Sequence, residues 1–475
     1  MNLLVIGGGG REHAIIKKLR ENPTVKEIYC LPGNGGIADD AICVPIKATD
    51  IEGIVAFVKS QTIDFALVCP DDPLAMGAVD RLTELGIPTF GPTALAAEIE
   101  SSKVFAKNLM KQNNIPTAAY AVYDDPDQAL SAILTQNRWP VVIKADGLAL
   151  GKGVLIVETA EAAAAALKMI MTDRAFGNSG KHVVVEEFLT GPEVSVLAFT
   201  DGRTLVPMIS SMDHKRALDG DKGLNTGGMG AVAPNPCYTP EIAERCRHEI
   251  FLPTVNAMRE AGRPFKGCLY FGLMLTAEGP KVIEYNCRFG DPEAQVVLPL
   301  LETDLLTICQ AVVSEKLDEL PVQFKDASAC CVVAASGGYP AAYQTGYPIS
   351  GLDQAVSDPA ISIFHAGTKL EATQTADLSH STQPAHSPAL STALPEGSSD
   401  SSIGPTNNKA SPAILTGGGR VLGVTAIAPS LTEAIDRAYQ AINKINFNNI
   451  HYRRDIGRRA LTEEETCHGR STNLC

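Results

Sequence analysis

The sequence predicts an α/β protein of several domains, and three observations carry that prediction. The first hundred residues alternate strand-like and helix-like segments, the pattern of a parallel βαβ sheet. The chain has 475 residues, too many for one core, so about two to four domains are expected. Apolar residues make up 45% and charged residues 20%, the balance of a globular protein in water.

Taken in order, Asn2 to Ile6 is a buried-type strand, Gly7 to Gly10 a glycine turn, and Glu12 to Asn22 a helix. Lys26 to Leu31 is a second strand, Ile54 to Gln61 a helix, Phe65 to Cys69 a strand, and Pro73 to Leu85 a helix. Ligands of such sheets bind beyond the carboxyl ends of the strands. The glycine turn fails the dinucleotide fingerprint. Glu12 stands where the third glycine belongs, and the second strand ends in Pro32-Gly33-Asn34-Gly35-Gly36, not in an acid. Gly8 to Arg11 instead suits a helix N-terminus shaped for one phosphate, with a plain tight turn as the alternative.

Glu100 to Asn113 is a helix carrying Lys103 and Lys107. The strand Val141-Val142-Ile143-Lys144 runs into Ala145-Asp146-Gly147-Leu148-Ala149-Leu150-Gly151-Lys152-Gly153, which imitates a Walker A loop. Only three residues separate Gly147 from Gly151-Lys152, and glycine follows the lysine, so it is not one. Phe176 to Lys181 is a second glycine turn. Val183 to Leu189 is a strand leading to Glu193. Asp213-His214-Lys215-Arg216-Ala217 opens a long polar loop running through Asn225 to Gly230, and long ordered loops are usually functional. Gly267 to Leu275 is a strand expected to pair with Val282 to Asn286. Beyond Ala327, Cys330 to Ala335 and Val421 to Ala426 are strands and Leu431 to Ile445 a helix. Between them, Glu371 to about Ile414 is rich in Ser, Thr, Pro, Ala and His, a composition that predicts a disordered insertion.

The charge balance is −14 and the pI about 5.2, which argues against a nucleic-acid surface. The 12 cysteines show no C-x-x-C spacing, so reduced thiols of a cytoplasmic protein are expected rather than a zinc ribbon. No signal peptide and no apolar run of membrane-spanning length is found.

The densest chemistry lies in Lys281 to Gln295. Side chains two apart on a strand share a face, so Glu284, Asn286 and Arg288 project together. A carboxylate and an amide oxygen suit Mg²⁺, completed by phosphate oxygens, and a neighbouring guanidinium suits a transferring phosphoryl group. A half-exposed polar strand is the plain alternative. The acidic turn that follows, Phe289-Gly290-Asp291-Pro292-Glu293, favours the site.

The run Arg-Phe-Gly-Asp-Pro-Glu-x-Gln at Arg288 to Gln295, with Gly-Gly-Arg-Glu-His at Gly9 to His13, resembles the phosphoribosylamine–glycine ligase (glycinamide ribonucleotide synthetase) family of ATP-grasp enzymes. The resemblance implies an ATP-grasp core, an N-terminal βαβ (pre-ATP-grasp) domain and a C-terminal α+β domain. The expected boundaries are 1–102, then 103–121 with 187–318 as the central domain and 122–186 as a mobile lid, then 327–460 with the insertion at 371–414, then a tail at 461–475. It implies ligation of glycine to 5-phosphoribosylamine with ATP and Mg²⁺ (or Mn²⁺), through glycyl phosphate, in purine synthesis. Glu284 and Asn286 would hold the metal, Lys103 and Lys144 would neutralise phosphates, and Arg288 would stabilise the transferring group. Gly151, Lys152 and Gly153 would lie over the triphosphate. Glu186, Phe188 or Leu189, and Glu193 would form the adenine and ribose slot. Asp213, Lys215 and Asn225 are candidates for holding substrate, and His214 for a structural or substrate-binding part. Gly9, Gly10, Arg11, Asn34, Asp291, Pro292 and Glu293 would bind the other substrate. A monomer without nucleic-acid or membrane partners is expected.

Three rivals differ in what they would require. Another ATP-grasp carboxylate–amine ligase would keep the metal strand and lose the Phe-Gly-Asp-Pro-Glu turn. A nicotinamide dehydrogenase would need the missing third glycine. A non-catalytic binding protein would not need the full metal and lysine set.

Overall fold

The computed structural model describes residues 1–148, 153–371 and 412–462. The first sheet is parallel, with strands β1 (Asn2–Gly7), β2 (Glu27–Pro32), β3 (Ile42–Cys43), β4 (Phe65–Val68) and β5 (Thr89–Phe90) in the order β3-β2-β1-β4-β5. β1 is an unbroken apolar run because helices cover both faces. The first helix, Gly10–Arg20, starts where β1 ends. Gly8 is required there: a Cβ would stand 2.5 Å from the Gly33 carbonyl oxygen.

Two helices expected as single pieces are broken. Pro73 to Leu85 is Asp71–Ala75 and Ala78–Glu84, separated at Gly77, whose φ of +84° is left-handed. Glu100 to Asn113 is the end of Ala94–Ser101 followed by Lys103–Gln112. Ser102 between them is extended, and its hydroxyl caps the second helix by accepting from the Phe105 N–H at 3.1 Å.

The next sheet is antiparallel, with β6 (Tyr120–Tyr123), β7 (Val141–Ala145), β8 (Val154–Val157) and β9 (Val183–Glu187) in the order β6-β9-β7-β8. Helices Pro126–Gln136 and Ala160–Leu167 cover it, and Ala129, Ile133, Ile143, Ala163 and Ile170 form its own core.

β10 (Glu193–Asp201) pairs with β11 (Leu205–Pro207). The polar loop that follows is more ordered than its composition suggests. It holds β12 (Met212–Asp213), a two-stranded ribbon of β13 (Arg216–Leu218) and β14 (Lys222–Asn225), and β15 (Gly230–Ala233). β16 (Lys266–Thr276) and β17 (Gly279–Asn286) complete an antiparallel sheet in the order β11-β10-β16-β17, with the pairing expected between Gly267–Leu275 and Val282–Asn286. A bulge falls there: Gly272 pairs with Glu284 and Leu273 with Val282, leaving Ile283 as the extra residue.

The last sheet contains β18 (Ser328–Ser336), β19 (Ile361–His365), β22 (Arg420–Ala428) and β23 (Ile450–His451). Its order is β12-β15-β18-β22-β19, with β23 also on β18. The flanks of the polar loop, β12 and β15, therefore belong to this C-terminal sheet. Helix Leu431–Ile442 packs on β18 and β22 through Ala434, Ile435, Ala438 and Ile442. β20 (Thr368–Leu370) and β21 (Ile414–Thr416) pair as a separate ribbon. The Ser/Thr/Pro-rich insertion lies outside the described residues between residues 372 and 411, as does the tail from 463. One buried cluster joins Leu3, Val5, Ile15, Phe199, Leu298, Cys331 and Phe364, so the N-terminal, central and C-terminal sheets share a core around the cleft.

Candidate active site

β17 brings the sequence triplet together as its spacing predicts. The Arg288 guanidinium, just past the strand, donates to the Asn286 amide oxygen at 3.2 Å and to Glu100 Oε1 at 2.9 Å. Burial works against the arginine's charge, but Glu100 and then Asp71 outweigh it, so its pKa rises and it stays ionised. Glu284 is half-buried. Burial pushes its carboxyl up, while Lys215, Lys144, Lys103 and Arg288 pull it below its ordinary value. It is a carboxylate ringed by cations.

Facing it are the lysines. Lys103 donates to the Gly147 carbonyl at 2.8 Å, tying its helix to the turn after β7. Asp146 in that turn accepts from the Val104 N–H and the Ser102 hydroxyl. Lys144 donates to the Ile283 carbonyl at 2.9 Å, and the bulge presents that oxygen. Glu186 lies buried between Lys144 and Lys107, 3.0 Å from each ammonium.

The acidic turn is held from the C-terminal sheet. Arg420 donates to the carbonyls of Gly227 and Asp291, both at 2.6 Å, and to Asp291 Oδ2 at 2.9 Å. The Gln295 amide donates to Asp291 Oδ1 at 2.6 Å. Burial pushes the Asp291 carboxyl up, but Arg420, Arg11 and Gln295 bring it below its ordinary value. Glu293 accepts from the Tyr270 hydroxyl at 3.1 Å, deep against Ser195. Asp213 is the reverse case: burial and then Glu293 drive its carboxyl well up, and Lys215 only partly opposes them. Lys215 reaches Glu193 at 3.4 Å and Glu284 at 3.7 Å, and those two, Glu193 foremost, hold its ammonium charged despite burial.

These groups line one cavity of about 700 Å³. The sequence-predicted residues on its walls are Arg11, Lys103, Lys144, Gly153, Glu186, Phe188, Leu189, Glu193, Asp213, Lys215, Asn225, Glu284, Asn286, Arg288, Asp291 and Glu293. Gly9, Gly10, Asn34 and Pro292 do not line it. The Asn34 amide is fully engaged: it donates to the Gly8 and His365 carbonyls and accepts from the N–H groups of Gly36 and Ile37. It shapes the glycine loop and has no hand free for a ligand. Gly9 and Gly10 act by closeness. A Cβ on Gly10 would stand 2.4 Å from the Gln295 amide and one on Gly9 2.9 Å from the Glu12 carboxylate. Gly151 and Lys152 lie outside the described residues. His214 is structural: its Nε2 accepts from the Gly457 N–H, and burial lowers its pKa to about 4. Sequence reasoning missed Asp71, Glu100 and Tyr270, and gave Lys107 and Arg420 no role. The only signal for Arg420 was a glycine run, Gly417-Gly418-Gly419, before its strand.

Among the described residues no group of three or more His, Cys, Asp or Glu side chains is able to hold a metal unaided. Glu284 and Asn286 supply two oxygens, which fits a hard divalent ion that takes its remaining ligands from phosphate and water.

Family models match the chain in three consecutive stretches: the phosphoribosylglycinamide synthetase N domain over 1–100, its ATP-grasp (A) domain over 101–294, and its C domain over 329–459. A phosphoribosylamine–glycine ligase of Vibrio vulnificus is 43% identical over 468 residues, covering 98% of this chain and all of the relative. The crystal structure of phosphoribosylamine–glycine ligase from Thermotoga maritima superposes with a TM-score of 0.77 at 30% identity, over 96% of this chain and 100% of that one. The biotin carboxylase domain of the Hydrogenobacter thermophilus 2-oxoglutarate carboxylase, solved with MgADP, ADP and bicarbonate, shares the fold at 15% identity. Its TM-score is 0.66, with 95% of this chain and 91% of that one covered. With the N, ATP-grasp and C regions in order around one cation-lined cleft, the chain belongs to the phosphoribosylamine–glycine ligase family.

Proposed function

We propose that this chain joins glycine to 5-phosphoribosylamine, converting ATP to ADP and phosphate, as a step of purine synthesis. The observation that carries the reading is the convergence of Lys103, Lys144, Glu284, Asn286 and Arg288 on the one cavity that Asp291 and Glu293 also line. A carboxylate does not accept an amine until one of its oxygens becomes a leaving group. Transfer of the γ-phosphoryl group to the glycine carboxylate creates that leaving group as glycyl phosphate. The ribosylamine nitrogen then attacks the acyl carbon, and phosphate departs with the former carboxylate oxygen.

Phosphoryl transfer asks the protein mainly for positioning and charge. In this reading Phe188 and Leu189 flank the base, Glu193 meets the ribose, and Lys103 and Lys144 meet the phosphates. Arg288, fixed by Glu100, stabilises the moving phosphoryl group. Glu284 and Asn286 would hold a divalent metal, Mg²⁺ or Mn²⁺, which would supply charge neutralisation to the phosphates. Lys215 and Asp213 hold glycine near the turn, and Arg11 meets the phosphoribosyl group. The described cysteines are buried, apart from the half-buried Cys43, which fits reduced thiols in a cytoplasmic setting, and no helix among the described residues is long and apolar enough to cross a membrane.

The test is ADP release by the purified protein with glycine, phosphoribosylamine and divalent metal each omitted in turn. The reading expects release only with all three. Equal release with alanine or bicarbonate in place of glycine would overturn it.

A further inference from the structure

Four elements meet at Glu186, and the residues there use charge in an unusual ratio. Lys107 donates to the Thr117 hydroxyl at 2.7 Å, and that hydroxyl donates to the Val282 carbonyl at 2.7 Å. Lys144 donates to the next carbonyl, that of Ile283. Both lysines are thus clipped to β17 immediately before Glu284, and both are 3.0 Å from Glu186. The three side chains are only 3–5% exposed. One carboxylate between two ammonium groups leaves the trio one positive charge in surplus; Glu284 meets it only in part, because Lys215, Lys103 and Arg288 act on that same carboxylate, and a buried charge left short of partners is costly. The side of the cluster that opens to the cavity therefore calls for an anion. Glu186 Oε1 accepts no hydrogen bond of regular geometry from Lys144, so the lysine commits an N–H to the Ile283 carbonyl and keeps its others for a further acceptor.

We propose that Lys107 is a positioning residue for the nucleotide phosphates: by sharing Glu186 it keeps the charge of Lys144 from being cancelled. This rests on the ATP reading above. Without Lys107, Glu186 and Lys144 form a neutral pair and Lys144 loses its pull on phosphate. The charged groups around Lys107 are Lys144 on β7 and Glu186 and Glu187 on β9, with the Tyr120 ring of β6 5.7 Å away. Lys103 lies one turn back on its own helix. Burial lowers the Lys107 pKa to about 8, with Glu186 pulling it back up. The cluster's surplus charge is therefore present below that pH and fades above it.

The test is calorimetric titration of the full chain with MgADP, a ligand that does not titrate between neutral and mildly alkaline pH. Lys107→Met is expected to weaken binding about tenfold or more, since it lets Glu186 cancel the charge of Lys144. The KM for ATP should rise and the KM for glycine should not. The double variant Lys107→Met/Glu186→Gln restores the surplus charge on Lys144 and is expected to recover most of the loss, which a merely structural role would not produce. Wild-type affinity should fall as pH rises through about 8, whereas affinity of the single variant should stay level. Unchanged binding by Lys107→Met, or a double variant no better than the single one, overturns the inference. If the single variant does not fold, a wild-type affinity that is level across that pH range overturns it. No MgADP binding by the wild type would instead remove the ATP reading itself.

Discussion

Replacing Arg420 with methionine should destabilise the protein in a way that depends on pH with a predictable sign. The side chains of Arg420 and Asp291 are 21% and 10% exposed, and removing one partner of a buried ion pair costs about 3–5 kcal/mol. Gln295 still donates to Asp291, so the lower end, about 3 kcal/mol, is expected at neutral pH. In the wild type the Asp291 carboxyl sits below its ordinary value. It therefore contributes stability at pH values above the unfolded-state pKa of about 3.9, lost as pH falls through the folded value. In the variant, burial loses its main opponent and the carboxyl pKa rises. The buried anion is then most costly at neutral and alkaline pH and least costly once it binds a proton. Scanning calorimetry of both proteins at pH 8 and pH 5 checks this. For an unfolding unit of 150–250 residues the Tm gap at pH 8 should be roughly 6–12 °C, and it should narrow at pH 5. A gap of equal size at both pH values would refute the argument, and so would a gap under about 2 °C at pH 8.

Three further outcomes follow from the same geometry. Glu284→Gln and Asn286→Ala should each lower kcat by about a hundredfold, the effect of a few kcal/mol, while the Tm stays close to wild type; near-normal rates at saturating Mg²⁺ would mean this strand face does not meet the metal. His214, with a pKa near 4, and His365, near 3, should remain neutral well below pH 6, and His13, lowered by burial, should titrate below its ordinary value. Because their folded pKa values are depressed, they withdraw stability as pH falls from about 6.5 toward those values. Proton NMR of the ring C–H signals checks this, and titration of all three near pH 6.5 would contradict the buried geometry. Replacing residues 372–412 by a two-residue turn should leave activity and Tm nearly unchanged. Leu370 already pairs with Ile414, and the Glu371 N–H donates to the Ala413 carbonyl at 2.8 Å, so the ends are in place for a short connection. A clear loss of either would show that the segment docks on the enzyme.

Much of the architecture was legible because burial on both faces leaves apolar runs, as in β1 and β9, which announce strands directly. The helix breaks at Gly77 and Ser102 were not, because apolar periodicity continues across a one-residue interruption. The β13–β14 ribbon was also invisible. β14 is exposed along its whole length, so no in–out alternation marks it. The placement of β12 and β15 in the C-terminal sheet is a long-range pairing with no local signature. At the site, Glu284, Asn286 and Arg288 could be grouped from spacing alone because they follow one another at two-residue intervals along a strand and its immediate extension. Arg420 could not, since it meets Asp291 across 129 residues of chain. The engagement of Asn34 was not legible for a related reason. Its position in a glycine loop suggests a ligand, but the loop's own N–H groups and a carbonyl from β19 take up its amide.

The most direct test of the central claim, activation of the glycine carboxylate by phosphorylation, is turnover with glycine labelled by ¹⁸O in both carboxylate oxygens. If the carboxylate takes the phosphoryl group and the amine displaces it, each turnover should yield one inorganic phosphate carrying one ¹⁸O atom, with the other retained in the amide product. Phosphate free of label at full turnover would contradict the account.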